Sequence, residues 1–129
     1  MWLFTKHGFY SAVCARQGDG SWTEPVDPDR VMVRARVGSH LENLIKHFPQ
    51  WLGDVELLDS RDTDYRYRIL VEKNTWQKIV SELVSEMDYD NFKSSVGKNV
   101  TEVEPNYKHA LYDVWHTMHQ LQTGESGKS

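Results

Sequence analysis

The sequence is poor in cysteine and has no long apolar run. Cys14 is the one cysteine in 129 residues, so no disulfide can form within the chain. We expect it to be a buried apolar residue of a strand rather than a reactive thiol. No apolar run approaches the ~18 residues of a membrane span, and the first residues lack the basic-then-apolar layout of a signal peptide. We therefore expect a cytoplasmic protein with no membrane association.

Motifs that identify common enzymes are missing as well. The sequence has no glycine-rich phosphate loop, no paired Cys-x-x-Cys, no Gly-x-Ser-x-Gly elbow and no dinucleotide fingerprint. No cofactor is predicted, and whether the protein is an enzyme stays open at this point.

The balance of charge limits the choice of partner. Fifteen Lys and Arg residues against nineteen Asp and Glu residues give a net charge of −4. General nucleic-acid binding needs a net or strongly localised positive field, so we do not expect it. A local basic patch is compatible with this balance.

What the chain does contain is typical of one globular domain. The hydrophobic fraction is 39%, and a chain of this length is too short for two stable cores. We predict a single α+β domain over residues 1–123 and a disordered polar tail over residues 124–129.

Hydrophobic periodicity predicts four strands and up to four helices. The predicted strands are Phe9–Arg16 (with Trp2–Thr5 as an earlier part of it, before a bulge at Gly8), Val31–Val37, Val55–Leu58 and Asp64–Val71. Helices are predicted after the caps Ser39 and Asn74, then from Asp90 to Gly97 and from Tyr107 to Thr123. The polar segment Gln17–Asp29, which contains Trp22, is a predicted loop.

Pairing rules arrange these elements. Consecutive strands usually pair, and strand–helix–strand crossovers are right-handed. We therefore predict a four-stranded antiparallel sheet with its second and fourth strands central. This is a ferredoxin-like plan in the permuted order β-β-α-β-β-α, with additional C-terminal helices. The first two helices would cover one face of the sheet, and the last helix would lie over the other face or beside them.

Arginines on the two central strands form the first candidate site. Arg34 and Arg36 share a face of the second strand, and Arg66 and Arg68 share a face of the fourth. Crowded guanidinium groups repel each other, so such a face favours an anion, and phosphate matches the arginine fork. Carboxylates inside the fold, such as Asp64, Asp88, Asp90 or Asp113, are the alternative source of neutralising charge.

A second candidate lies on the last helix. His109, Asp113, His116 and Gln120 follow at spacings of four, three and four residues, in one stripe opposite the apolar face. Such residues can ligate a divalent metal, but the stripe is also what an ordinary solvated helix face looks like. Asp64 and Asp88, each followed by a tyrosine, are further candidates for acid–base or metal chemistry, or for caps and turns.

Several segments together resemble one family. They are Met1–Thr5, Gly8–Ser11, Val33–Val37, Thr63–Arg68, Asp88–Lys93 and Tyr112–Trp115. In this order, and over most of the chain, they resemble a family of small uncharacterised bacterial proteins. The resemblance implies a shared fold and no particular activity, cofactor or partner.

Three hypotheses of function follow. The leading one is a non-enzymatic binding domain whose arginine face, with Tyr65 or Tyr67, takes an anionic partner: a nucleotide, an RNA segment or an acidic protein. The second is a metal-dependent hydrolase or nuclease that uses Asp64, Asp88 or the histidine stripe. The third is a homo-oligomerisation or protein-interaction module.

Overall fold

The computed structural model describes residues 1–97 and 106–126, and it describes side chains for 1–96 and 106–124. Its strands are β1 (Trp2–Thr5), β2 (Gly8–Arg16), β3 (Val26–Ala35), β4 (Leu58–Asp59) and β5 (Tyr67–Glu72). Its helices are α1 (Gly38–His47), α2 (Pro49–Leu52), α3 (Lys73–Ser85), α4 (Phe92–Gly97) and α5 (Tyr107–Ser126). The predicted α+β class is confirmed.

The strands form one antiparallel sheet in the order β1-β2-β3-β5-β4. The second and fourth predicted strands, now β3 and β5, are neighbours as expected. The prediction of four strands is wrong, and the ferredoxin-like topology is not supported. Trp2–Thr5 is a strand of its own, because the chain reverses after it and Thr5 pairs with Gly8.

Strand boundaries also differ from those expected. β3 begins at Val26, so the last four residues of the predicted loop Gln17–Asp29 belong to a strand, and Val26 and Asp27 are paired with β2. β5 begins at Tyr67, and only Leu58 of the predicted strand Val55–Leu58 lies in β4. Cys14 is exposed rather than buried, next to a register irregularity between Cys14 and Ala15.

The main core lies between the sheet and the first helices. Side chains at alternate strand positions point to one face, and α1 and α3 cover that face with their apolar stripes. The residues with no exposed surface there are Tyr10, Val33, Ala35, Leu41, Leu44, Leu52, Ile69 and Ile79. Each large apolar side chain buried in this way contributes about 1.5–3 kcal/mol. The predicted caps are not used, since the cap positions are Val37 and Glu72 without side-chain cap bonds.

A second, smaller core lies on the opposite face of the sheet. The rings of Phe4 and Phe9 stack there at 4.5 Å between centroids, and Val96, Tyr107 and Leu111 are buried against them. The Tyr107 hydroxyl donates a hydrogen bond of 2.9 Å to the Thr5 carbonyl oxygen. The start of α5 therefore covers one end of this face.

The rest of α5 contributes little to that core. The apolar side chains further along it are largely exposed: Val114 by 38%, Trp115 by 53%, Met118 by 58% and Leu121 by 66%. Residues 124–126 of the predicted tail are helical, and residues 127–129 lie outside the described part of the chain.

A search of the described helices finds none that combines the length and the apolar character needed to cross a bilayer.

Candidate functional site

A row of side chains runs across the sheet on the face opposite α1 and α3. Arg34 is paired with Ser11 on one side and with Arg68 on the other. Two cations directly opposite each other in a ladder repel. The sheet therefore brings together two of the predicted arginines in a way that requires compensation.

The hydrogen bonds of these arginines go to uncharged acceptors. Arg34 Nη2 donates to Ser11 Oγ at 2.8 Å, and Arg68 Nη2 donates to Thr63 Oγ1 at 2.8 Å and to the Tyr65 carbonyl oxygen at 3.0 Å. Arg36 donates to the carbonyl oxygen of Asp64 at 2.9 Å. Among the described side chains, no carboxylate forms an ion pair with any of these three arginines.

Two of the arginines also contain buried donors. The Nε atoms of Arg34 and Arg68 are buried and have no hydrogen-bond partner within the described ranges. An unpaired donor on a charged group in a poorly solvated position raises the free energy of the fold. The patch is therefore positively charged and incompletely neutralised by the residues that the structure describes.

Tyr65 organises the patch. The residue is 4% exposed, and the guanidinium carbons of Arg34 and Arg36 lie 4.4 and 4.2 Å from the centroid of its ring. The negative face of an aromatic ring attracts such cations. Tyr65 thus holds two like charges close together without adding a negative charge of its own. We call Arg34, Arg36, Tyr65 and Arg68 the arginine patch.

Arg66 and Tyr67 lie outside the arginine patch. Arg66 donates two hydrogen bonds to the carboxylate of Asp59, at 2.7 and 3.1 Å, and its guanidinium lies over the Tyr67 ring at 5.0 Å. The bond to Arg66 lowers the pKa of Asp59. The pairing of β4 with β5 places Asp59 directly opposite Tyr67, the residue next to Arg66, and the ion pair is partly exposed to solvent.

An apolar cavity of about 310 Å³ adjoins the arginine patch. It lies between the sheet and the start of α5, and its lining includes Trp2, Phe9, Arg36, Tyr65, Tyr107 and Leu111. The Arg36 guanidinium is therefore the positive charge beside an otherwise mostly aromatic and aliphatic surface. Small-molecule sites have this character, with apolar walls and a few polar groups that fix orientation.

The predicted metal stripe lies on the solvent side of α5. His109, Asp113 and His116 are all exposed. The two aspartates of the enzyme hypothesis have different surroundings: Asp64 accepts a hydrogen bond from the Tyr65 amide, whereas Asp88 lines a polar cavity with Lys6. Trp22 is 83% exposed in the hairpin loop.

A different set of potential metal ligands converges elsewhere. Over residues 1–97 and 106–126, His7, His47 and Glu86 are the group of three whose ligand atoms all lie within 4.8 Å of one another. His7 is 7% exposed, and burial, followed by the nearby His47 ring, lowers its pKa while Glu86 opposes this shift. His47 Nε2 contacts a carboxylate oxygen of Glu86.

Sequence reasoning missed this group because its members come from three distant segments. His7 lies between β1 and β2, His47 ends α1, and Glu86 follows α3. A separation of 39 residues between His47 and Glu86 fits no short ligand motif. The turn after β1, which brings His7 into place, was itself not predicted.

No family model, curated protein or solved structure matches this chain.

Proposed function

We propose that this protein is a non-enzymatic binding domain for a small phosphate-bearing ligand with an aromatic body, such as a mononucleotide. The observation that carries this proposal is the arginine patch, where three guanidinium groups meet only uncharged acceptors among the described residues. A dianionic phosphate would supply the missing negative charge.

Arg36 is the proposed direct contact for the phosphate. It is exposed and lines the cavity, whereas Arg34 and Arg68 are partly buried behind Tyr65. Guanidinium forks match phosphate oxygens with two parallel hydrogen bonds. The two inner arginines add positive potential at a position where water screens them less than at the surface.

The cavity supports a small ligand rather than a polymer. Its volume of about 310 Å³ lies at the lower end of the range for small-molecule sites, about 300–1,000 Å³. The rings of Trp2, Phe9 and Tyr107 line it, and stacking of a base on an aromatic side chain contributes about 1–3 kcal/mol. The net charge of −4 weakens the attraction of a long polyanion.

The test is calorimetric titration of the whole chain with adenosine monophosphate, adenosine and inorganic phosphate. We expect the nucleotide to bind more tightly than either part, with affinity falling between about 50 and 200 mM salt. The change Arg36→Gln should weaken nucleotide binding by about 10-fold or more, since it removes a charge-assisted bond.

Arg66→Gln is the matched control. Arg66 is already paired with Asp59, so this substitution should leave nucleotide affinity unchanged. Equal affinity for adenosine and its monophosphate, or unchanged binding in Arg36→Gln, would refute the proposal. If an RNA oligomer bound tightly and the mononucleotide did not, the ligand of the arginine patch would be a polymer and not a small molecule.

A further inference from the structure

We propose that His7, His47 and Glu86 form a binding site for a divalent transition metal of the zinc type, with a fourth position open to water. This site is separate from the arginine patch and does not depend on the proposed function. Two imidazole nitrogens and one carboxylate are a known ligand set for zinc sites that keep an open position.

The distance between the buried histidine and the carboxylate fits this assignment. His7 Nε2 lies 3.6 Å from Glu86 Oε2, which is too long for a hydrogen bond. Zinc bonds of about 2.0–2.2 Å at a tetrahedral angle place two ligand atoms about 3.4 Å apart. The separation between these two atoms therefore matches that of two ligands on one ion. His47 Nε2, which contacts the Glu86 carboxylate directly, has to move away from it to admit the ion.

The inner ligand, His7, has a buried ring nitrogen that forms no hydrogen bond within the described part of the chain. His7 is 7% exposed, and its Nε2 atom is buried with no hydrogen-bond partner among the described residues. Glu86 Oε2 is also buried without a hydrogen-bond partner in the described ranges, and its ion-pair contact is the 3.6 Å approach to His7 Nε2. Buried polar atoms are normally satisfied, so two of them facing each other indicate a missing common partner.

The backbone around His7 is held firmly enough to serve as a preformed ligand. Thr5 Oγ1 accepts hydrogen bonds from the amides of His7 and Gly8 at 3.1 and 3.2 Å. Asn43 Nδ2 donates to the His7 carbonyl oxygen at 3.2 Å. Gly8 has a φ of 150°, and a Cβ there would lie 2.4 Å from the ring of His40.

The outer ligands leave room for the metal to enter. The side chains of His47 and Glu86 are 37% and 25% exposed, against 8% for His7. The ion would thus be reached from the side of α1 and α3, and the fourth position would face water. Imidazole with carboxylate suits zinc, and also nickel or cobalt, better than magnesium or calcium, which prefer oxygen ligands alone.

The experiment is metal binding to the purified full-length chain after treatment with a chelator. Zinc is titrated by calorimetry, and cobalt is added separately to record the visible spectrum of its coordination sphere. We expect one zinc ion per chain, a rise in melting temperature with zinc, and a cobalt spectrum typical of four-coordination. His47→Ala and Glu86→Gln should each weaken zinc binding by at least 10-fold.

His116→Ala on α5 is the matched control and should bind zinc as the unchanged chain does. His47→Ala changes a side chain that is 37% exposed, so we expect the variant to fold, and its melting temperature without zinc checks this. The site would be overturned if the unchanged chain did not bind zinc, or if His47→Ala and Glu86→Gln bound zinc as tightly as the unchanged chain does. His47 and Glu86 would then form a plain ion pair. If His116→Ala alone lost zinc binding, the zinc ligands would be the residues of the stripe on α5.

Discussion

At the scale of single residues, the partner of each arginine decides whether its charge is available. Arg66 forms two hydrogen bonds to the Asp59 carboxylate, so its charge is neutralised locally. Arg34, Arg36 and Arg68 are bound to a hydroxyl or a carbonyl oxygen instead. Such bonds orient a guanidinium but leave its charge in place. The same residue type is therefore structural at one position and a candidate anion contact at three others.

The Asp59–Arg66 pair gives a prediction for pH dependence. Arg66 lowers the pKa of Asp59, so the folded state binds this proton less readily than the unfolded state does. The stabilisation is therefore present above the ordinary pKa of an aspartate and is lost as the pH falls through the lowered value. Arg66→Gln should return the pKa of Asp59 towards its ordinary value in a carboxyl carbon NMR titration.

Arg61→Gln is the comparison variant for that titration. Arg61 contributes a smaller effect on Asp59, through charge alone, and its removal should move the titration much less. If the Asp59 curve were the same with and without the Arg66 guanidinium, the ion pair would be absent in solution. Arg66 would then return to the set of possible anion contacts.

At the scale of elements, alternation predicted the central strands but not where they end. Val33 and Ala35 point to the core and Arg34 points away from it, as the period of two requires. Asp64, Tyr65 and Arg66 carry the same alternation, yet they belong to the loop before β5. Thr63 Oγ1 holds that loop by bonding to the carbonyl oxygens of Ser60 and Tyr65.

The candidate sites were predictable to different extents, because alternation predicts side-chain directions inside a strand but says little about loops and element ends. Periodicity and pairing rules predicted that Arg34 and Arg68 lie on neighbouring strands, whereas the register that sets them directly opposite each other is seen only in the structure. The position of Tyr65 over Arg34 and Arg36 depends on a tertiary loop conformation. His7, His47 and Glu86 lie at element ends, where local sequence patterns carry the least information about distant contacts.

Helix α5 yields a prediction because its burial is confined to its first turns. Leu111 is 6% exposed, whereas Leu121 is 66% exposed. Leu111→Ala should lower the free energy of opening α5 from the sheet by about 2–4 kcal/mol, because it leaves a cavity against Phe4 and Phe9. Leu121→Ala should change it by less than about 0.5 kcal/mol. Amide hydrogen exchange along α5 measures both.

Equal exchange rates in the two variants would contradict this arrangement of α5. Faster exchange in Leu111→Ala should be concentrated in the first turns of α5, because the exposed turns beyond them already open locally. The same variant should weaken nucleotide binding, since Leu111 lines the cavity. Leu121→Ala should leave that affinity unchanged.

At the scale of the whole molecule, the two proposed sites share one short connection. His7 lies in the turn between β1 and β2. Phe9, two residues later, lines the cavity. The Phe9 amide donates to His40 Nδ1 at 3.2 Å, so the backbone between the sites is fixed on both sides. A rigid connection transmits no change in affinity unless it has a second arrangement to adopt.

We therefore expect zinc and nucleotide to bind independently. Nucleotide affinity, measured by calorimetry with and without saturating zinc, should differ by less than about 2-fold, which is the additivity seen for uncoupled sites. Arg36→Gln should keep its zinc affinity, and His47→Ala should keep its nucleotide affinity. A change of 10-fold or more in either direction would mean that the turn from Thr5 to Gly8 moves when one site is filled. Linkage then requires the nucleotide to alter zinc affinity by the same factor, so the reverse titration would separate true coupling from a damaged variant.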